Sequence, residues 1–338
     1  MESRFYLKQC YILLTRKCNL ACSHCIRSSD PSYSEFMPLE LCEEIFVKLA
    51  SSNSEFQALL SGGEPTLHPN FEDICSLAYR YFEKTIINTN GLNLHKIKKI
   101  KRFNDKISIQ ISIDGDEEFH ESIRGLNTYH KTLSNIEAIT ELGFKVTIAT
   151  TVSNKNITSL KNLDDDLDSS EFYQWNLKRI VGYGRANDEE DISTQDWNKL
   201  VDSVYAGFHN ASRTSIRPMF ALRNIATSEF LDSTNEELSS IGTNCGTGRS
   251  KMYVNPNGTV YPCACMEENI VGDFHSDSYA RVAHALSNVN ILPNKYSICY
   301  QCRAFSQCKG GCPGIGARNL SQGDPRCPIV NKVLLAKG

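Results

Sequence analysis

Nothing in this 338-residue chain reads as a membrane span, since no apolar run approaches the ~20 residues needed to cross a bilayer. The N-terminal stretch MESRFYLKQCYILLTRKC lacks the layout of a secretory signal. Neither charge dominates: 36 Lys and Arg against 39 Asp and Glu leave a net −3, so no strongly basic character points to nucleic acid or an anionic membrane. No internal repeat or low-complexity tract is visible. The expectation is a cytoplasmic protein with no nucleic-acid and no membrane partner. One further absence is local. Between Cys75 and Cys245 there is no cysteine, although the chain has 14. Cys18, Cys22 and Cys25 crowd near the start, seven lie from Cys245 to Cys312, and Cys327 follows. Disulfides are rare in reducing compartments. Thiols gathered at both ends of a cysteine-free middle therefore point to separate metal sites on two modules.

Short β-branched runs at 11–15, 57–60, 85–88, 106–113 and 145–152, with a weaker one at 175–180, alternate with helix-like segments. Those segments fall at 39–50, 71–82, 94–103, 131–142 and 158–167. Pro38 and Pro69 stand where two helices open, and Gly91 and Gly143 stand at turns. Repeated strand–helix units predict a parallel sheet with right-handed crossovers. About six such units predict an α/β fold, a partial (β/α)6 barrel of TIM type that is not closed. The polar stretch GRANDEEDISTQD, 184–196, marks a boundary, and helices are expected over 195–208 and 219–230. The expected division is a barrel over 1–190, a helical linker over 191–240 and a cysteine-rich domain over 241–338. So little apolar sequence in the last part calls for metal staples.

The stretch CNLACSHC places three thiols at C-x3-C-x2-C on a loop after a strand. Three cysteines wrap one iron–sulfur cubane and leave one iron without a protein ligand, the open position that a catalytic metal needs. A structural zinc, with His24 or a distant residue as fourth ligand, is the alternative. Further along stand SGGEP (61–65), NTNG (88–91), SIDG (112–115), FHESIRG (119–125) and the strand end at 150–152. Taken in this order, they resemble the radical S-adenosylmethionine (SAM) superfamily. The resemblance implies that Cys18, Cys22 and Cys25 hold a [4Fe–4S] cluster whose open iron takes the amine and carboxylate of SAM. It also implies that His24 walls the cluster and nucleoside, and that Gly62, Gly63 and Glu64 lie near the amine. By the same resemblance Asn90 borders SAM, Ser112 and Asp114 face the ribose, Arg124 meets the carboxylate and Thr151 lies near the adenine.

The second cysteine set runs Cys245-x12-Gly258-x4-Cys263, then Cys299-x2-Cys302-x5-Cys308-x3-Cys312, then Cys327. With YVNPNGTVYPC and CKGGCPG it is similar to the seven-cysteine SPASM extension of peptide-modifying radical SAM enzymes. That resemblance implies two auxiliary [4Fe–4S] clusters, three clusters in all. Cys299, Cys302, Cys308 and Cys327 would hold one. Cys245, Cys263 and Cys312 would hold the other, with its fourth position open or closed by Cys265. Cys10, Cys42 and Cys75 read as ordinary buried thiols.

The resemblance implies an oxidoreductase in which the reduced first cluster cleaves SAM to methionine and a 5′-deoxyadenosyl radical, which takes a hydrogen from an unactivated carbon. The auxiliary clusters would accept the leftover electron. The leading expectation is a maturase that forms a C–C (cyclophane-type) or C–S crosslink in a ribosomally synthesised precursor peptide. Dehydrogenation of Cys or Ser to formylglycine, as in anaerobic sulfatase maturases, is an alternative. Ala264 stands against it, occupying the place of those enzymes' aspartate base, although Glu267 or Glu268 would compensate. Epimerisation with a thiol donor such as Cys265 is another, and a non-enzymatic metal-binding or redox-sensing protein a fourth. Tyr183 and Arg185, in VGYGRA, are either substrate contacts or part of a glycine turn. The expected partners are the precursor peptide and a low-potential flavodoxin or ferredoxin. Little sequence precedes the first strand, so a separate leader-recognition protein, or the barrel and extension themselves, would read the leader.

Overall fold

The computed structural model describes residues 5–52, 55–217, 219, 220, 247–302, 304–316 and 323–335. Cys245 and nearly all of the helix expected over 219–230 lie outside these residues. Six parallel strands pair in chain order: β1 (Gln9–Leu13), β2 (Gln57–Ser61), β3 (Thr85–Thr89), β4 (Ile107–Ser112), β5 (Val146–Val152) and β6 (Gln174–Arg179). Helices α1 (Leu39–Ala50), α2 (Phe71–Tyr81) and α3 (Leu94–Lys99) make the first three crossovers. The fourth uses α4 (Glu117–Arg124) and α5 (Tyr129–Glu141), and the fifth uses α6 (Ser159–Asp166). This is the expected open barrel. Helix α4 was not expected, since its eight residues carry too short a pattern. Asp116 caps it by accepting a hydrogen bond from the Phe119 amide at 3.1 Å.

The strands alternate, although parallel strands covered on both faces normally read as continuous apolar runs. In β4, Ile107, Ile109 and Ile111 are buried while Ser108, Gln110 and Ser112 are half-buried. The apolar face packs beneath the helices, against residues such as Phe46 of α1, Ile74 of α2 and Ile136 of α5. The other face is polar and open. There Gln110 donates to Asn88 Oδ1 at 2.8 Å, and Asn88 reaches Ser61 Oγ at 3.5 Å. Alternation thus marks an accessible lumen rather than a packed barrel centre.

The cysteine-rich tail is built into the same sheet. Strand β7 (Thr214–Ser215) adds to β6, and β8 (Lys251–Val254) runs parallel to β1 on the opposite side. Strands β9 (Thr259–Tyr261) and β10 (Gly272–Asp273) continue antiparallel from β8, giving the order β10-β9-β8-β1-β2-β3-β4-β5-β6-β7. Tyr11 of β1 stacks on Tyr253 of β8 at 4.4 Å. The sequence reading set this tail apart from the barrel because strands of two to four residues carry almost no periodicity. Helix α7 (Thr194–Gly207) matches the expected 195–208 and is capped by Ser193. Helix α8 (Tyr279–Ser287) follows the hairpin.

Candidate active site

The loop bearing Cys18, Cys22 and Cys25 leaves the end of β1 and is held from three sides. The GGE turn after β2 donates from the Gly63 amide to Thr15 O at 2.7 Å and from the Glu64 amide to Lys17 O at 2.9 Å. A Cβ on Gly62 would stand 2.3 Å from Thr15 O, and one on Gly63 would stand 2.2 Å from Lys17 O, so only glycine permits the approach. From the end of β3, Asn90 Nδ2 donates to Asn19 Oδ1 at 2.8 Å. After β6, Arg185 donates from Nε to Cys22 O at 2.8 Å and from Nη2 to Ser29 O at 2.7 Å. Its own amide reaches Cys25 O at 3.0 Å. The expectation of Arg185 as a substrate contact is corrected by this geometry, because its donors are spent on the cysteine loop. The VGYGRA segment acts as a strap.

Glu64 is also a brace. Its fully buried carboxylate accepts from the Thr66 amide at 3.0 Å, the Thr66 hydroxyl, Thr89 Oγ1 at 2.8 Å and the Asn90 amide at 2.8 Å. Burial raises its pKa, and these donors oppose the rise. Three of these donors meet Oε1 and one meets Oε2, so the carboxylate ties β2 to β3 and Oε2 keeps room for a further donor.

Asp114, just beyond β4, is the charge centre. Its Oδ2 accepts from Arg124 Nε at 2.8 Å and Nη2 at 2.7 Å, and lies 3.2 Å from His24 Nε2. Its Oδ1 accepts from the Thr151 amide at 2.7 Å. Burial would raise the carboxyl pKa, but Arg124 and His24 hold it well below the usual range. Arg124 Nη1 reaches 4.0 Å from Cys22 Sγ, which links this centre to the thiols. Asp114 and Arg124 therefore hold each other through Nε and Nη2 of the guanidinium, with Nη1 turned to the thiol loop. Among the described residues, the buried His24 Nδ1 has no partner. A small cavity opens here between His24, Asp114, Phe119, Thr151 and Ile180. Ser112, half-buried at the end of β4, points to the lumen.

The thiol donors suit a cubane better than a single ion. Among the described residues, the one trio of His, Cys or carboxylate groups with ligand atoms within 4.8 Å of one another is Asp164, Asp165 and His209. Cys18, Cys22 and Cys25 are spaced more widely, whereas thiolates on one zinc at about 2.3 Å sit about 4 Å apart. No disulfide links them. The buried, unpartnered His24 nitrogen beside them is a second sign that a group belongs in this space.

At the other end of the chain, Cys299, Cys302, Cys308 and Cys327 line one pocket with Ile298 and Val330. Asp324 supports it from beneath. Its carboxylate accepts from the Cys312 amide at 3.0 Å and from Arg326 Nε at 2.9 Å and Nη2 at 2.8 Å. Its backbone oxygen accepts from the Cys327 amide at 3.0 Å. Cys263 and Cys265 form a second group within electrostatic reach of Cys312. The Cys265 thiol donates to Cys263 and lowers its pKa, while the shared hydrogen bond and burial push Cys265 up.

Glu267 joins the two thiol regions. It pairs with Arg16, and with Arg27 at 3.4 Å, both on the N-terminal loop. Arg27 also lies over the rings of Tyr253 and Tyr261 at 5.3 and 5.2 Å. Tyr183 takes a hydrogen bond from the Glu267 amide and packs beside Cys263, Cys265 and Met266. The expectation of Glu267 as a compensating base is corrected, because two arginines hold its carboxylate. Sequence reasoning missed Asn19, Arg16, Arg27, Asp324 and Arg326. Arg16 and Arg27 had no local signal, since their partner lies more than 200 positions away.

The strands, the braced thiol loop and the cysteine-lined tail define the class. The chain is an enzyme of the radical SAM superfamily carrying a SPASM domain: the Radical SAM superfamily matches residues 12–167 and the iron–sulfur cluster-binding SPASM domain matches 245–309. It is 27% identical over 286 residues to the antilisterial bacteriocin subtilosin biosynthesis protein AlbA of Bacillus subtilis, a match covering 80% of this chain and 58% of AlbA. It is 26% identical over 318 residues to the mycofactocin maturase MftC of Mycobacterium tuberculosis, covering 88% of this chain and 76% of MftC. In fold it resembles Streptococcus suis SuiB bound to precursor peptide SuiA, with TM-score 0.78, 16% identity, and 96% of this chain and 76% of that one covered. It also resembles anSMEcpe with bound AdoMet, with TM-score 0.72, 20% identity, and 96% and 94% covered.

Proposed function

We propose that this enzyme matures a ribosomally synthesised precursor peptide by an oxidative C–C (cyclophane-type) or C–S crosslink. The observation that carries the reading is the Arg16–Glu267–Arg27 clasp. It seats a second thiol group directly against the N-terminal cysteine loop, where electrons removed from a substrate have somewhere to go. The names of the relatives, a subtilosin biosynthesis protein and a mycofactocin maturase, support a peptide substrate.

In this reading Cys18, Cys22 and Cys25 hold the first [4Fe–4S] cluster. Cys299, Cys302, Cys308 and Cys327 hold a second, and Cys245, Cys263 and Cys312 hold a third, with Cys265 beside it. When bound, the first cluster and SAM supply hydrogen-atom abstraction, and the others supply electron acceptance. The chain's own residues prepare the site. Asp114 fixes the Arg124 guanidinium at the edge of the thiol loop, Thr151 fixes Asp114, and His24 forms one wall. Gly62, Gly63 and Asn90 keep the loop in place, and Ser112 faces the lumen where the substrate carbon would lie. Water is displaced as the peptide fills this polar cleft. A flavodoxin or ferredoxin is the proposed reductant, and leader recognition falls to a separate protein or to the barrel and tail themselves.

Formylglycine synthesis is disfavoured by a specific observation. Ala264 sits between Cys263 and Cys265, and the nearest carboxylate in sequence, Glu267, is already paired with two arginines. The test is anaerobic reconstitution, with about twelve irons per chain expected for three cubanes, followed by co-expression with a peptide encoded beside the gene. Loss of two hydrogens per crosslink by mass spectrometry supports the reading. An unchanged mass with deuterium uptake from solvent at one α-carbon replaces it with epimerisation.

A further inference from the structure

After Asp277 the chain carries one acidic side chain, Asp324, against eight Lys and Arg. That carboxylate is fully buried. Its Oδ2 accepts from the Cys312 amide at 3.0 Å and from Arg326 Nη2 at 2.8 Å. Its Oδ1 accepts from the Arg326 amide at 3.0 Å and from Nε at 2.9 Å. The backbone oxygen of the same residue accepts from the Cys327 amide at 3.0 Å. One residue thus grips the main chain of both Cys312 and Cys327.

Those two cysteines belong to different thiol groups. A Cβ on Gly314, two residues past Cys312, would stand 3.4 Å from Cys265 Sγ and 3.7 Å from Cys263 Sγ. Cys327 lines the other pocket, with Cys299, Cys302 and Cys308. Arg326 is anchored in turn, its carbonyl accepting from Thr194 Oγ1 at 2.8 Å where α7 begins. Backbone tethering alone would not call for charges here. A neutral side chain accepts from an amide as well, and a buried ion pair adds little net stability. Charge beside an iron–sulfur cluster does something a neutral group cannot, because it shifts the potential at which the cluster takes an electron.

Resting on the reading that both thiol groups hold clusters, we propose that Asp324 and Arg326 form a positioning link between the two auxiliary clusters and set their reduction potentials. The carboxylate opposes an added electron on the cluster of Cys312, and the guanidinium offsets that opposition. Because the link holds a ligand of each cluster, it fixes the driving force for an electron passing between them.

The test is an anaerobic redox titration followed by electron paramagnetic resonance. It uses the full chain with Cys18→Ala, Cys22→Ala and Cys25→Ala, which leaves the auxiliary signals alone, with about eight irons per chain expected. Asp324→Asn keeps an acceptor for the Cys312 amide and removes the negative charge. At a fixed potential, its ratio of reduced to oxidised Cys312 cluster should rise about tenfold. Arg326→Gln should lower that ratio by a similar factor, and the Asp324→Asn/Arg326→Gln double variant should return it close to the parent value. A merely structural role would not give opposite signs that cancel. Unmoved ratios in variants that keep their iron overturn the link. If Asp324→Asn sheds iron, Arg326→Gln decides alone, since Asp324 there still holds the Cys312 and Arg326 amides. Iron lost from Arg326→Gln as well overturns the tuning role in favour of a structural one. A parent chain that binds no auxiliary iron overturns the cluster reading and the link with it, and the iron count separates that outcome from intact clusters with unmoved potentials.

Discussion

The two cysteine regions look alike as spacing and are supported in opposite ways. The loop with Cys18, Cys22 and Cys25 is tied by backbone and side-chain hydrogen bonds to the ends of three barrel strands through Gly63, Glu64, Asn90 and Arg185. The pocket of Cys299, Cys302, Cys308 and Cys327 rests on short pieces: a single-turn helix at Ile298–Gln301, a four-residue helix at Phe305–Cys308 and the helix Pro328–Leu335. Its backbone closes in so tightly that a Cβ on Gly323 would stand 2.5 Å from Cys299 Sγ. The difference teaches which region is shaped before metal arrives. The first is preformed by the barrel, as suits a centre that exchanges a small-molecule ligand. The second has little apolar core of its own, so cluster binding is coupled to its folding.

That contrast can be broken in four ways, taken from the largest effect down. Cys22→Ala should abolish reductive SAM cleavage, a loss of at least about a thousandfold, and remove about four of twelve irons. Its melting temperature should stay near wild type, because the barrel holds the loop. Stripping iron with a chelator should open the tail first. Limited proteolysis then cuts within 295–335 while a fragment spanning β1 to β6 persists; simultaneous loss of both would erase the distinction between the regions.

Asp114→Asn strands the buried Arg124 without its counter-charge and should cost about 3–5 kcal/mol in denaturant unfolding. Cys302→Ala should leave that barrel transition in place. The smallest effect is a pH slope confined to the barrel side. Burial and the nearby Arg124 lower His120 to about 4. Unfolded, the ring has a pKa of about 6.5. Between these values the unfolded chain binds a proton that the folded one refuses. Stability should therefore fall as pH drops through this window, by at most roughly 3 kcal/mol, and His120→Gln should flatten the curve.

Much of this was legible in the sequence because the chemistry is local. Cys18, Cys22 and Cys25 announce a cluster by spacing, and Gly62 and Gly63 announce a close backbone approach by being adjacent glycines beside them. The barrel strands carry β-branched residues at period two, so their existence and order could be read directly. What could not be read was how charged residues were used. Asp114 and Arg124 looked like two separate ligand contacts and turned out to hold each other. Glu64 looked like a ligand to an amine and also accepts from Thr66, Thr89 and Asn90, which ties β2 to β3. Arg185 looked like a substrate contact and binds two carbonyls of the cysteine loop. In each case the side chain's type was right for its chemistry, but its partner was set by strands meeting in space.

By itself, then, the sequence determined the fold class, the parallel strand order and the cysteine sets, because periodicity and short spacings express backbone geometry and ligand reach. Only the tertiary structure decided that the tail enters the barrel's sheet beside β1 and that Glu267 clasps Arg16 and Arg27. Those facts depend on the curvature of the sheet, which brings residues distant in the chain together and which no local pattern encodes.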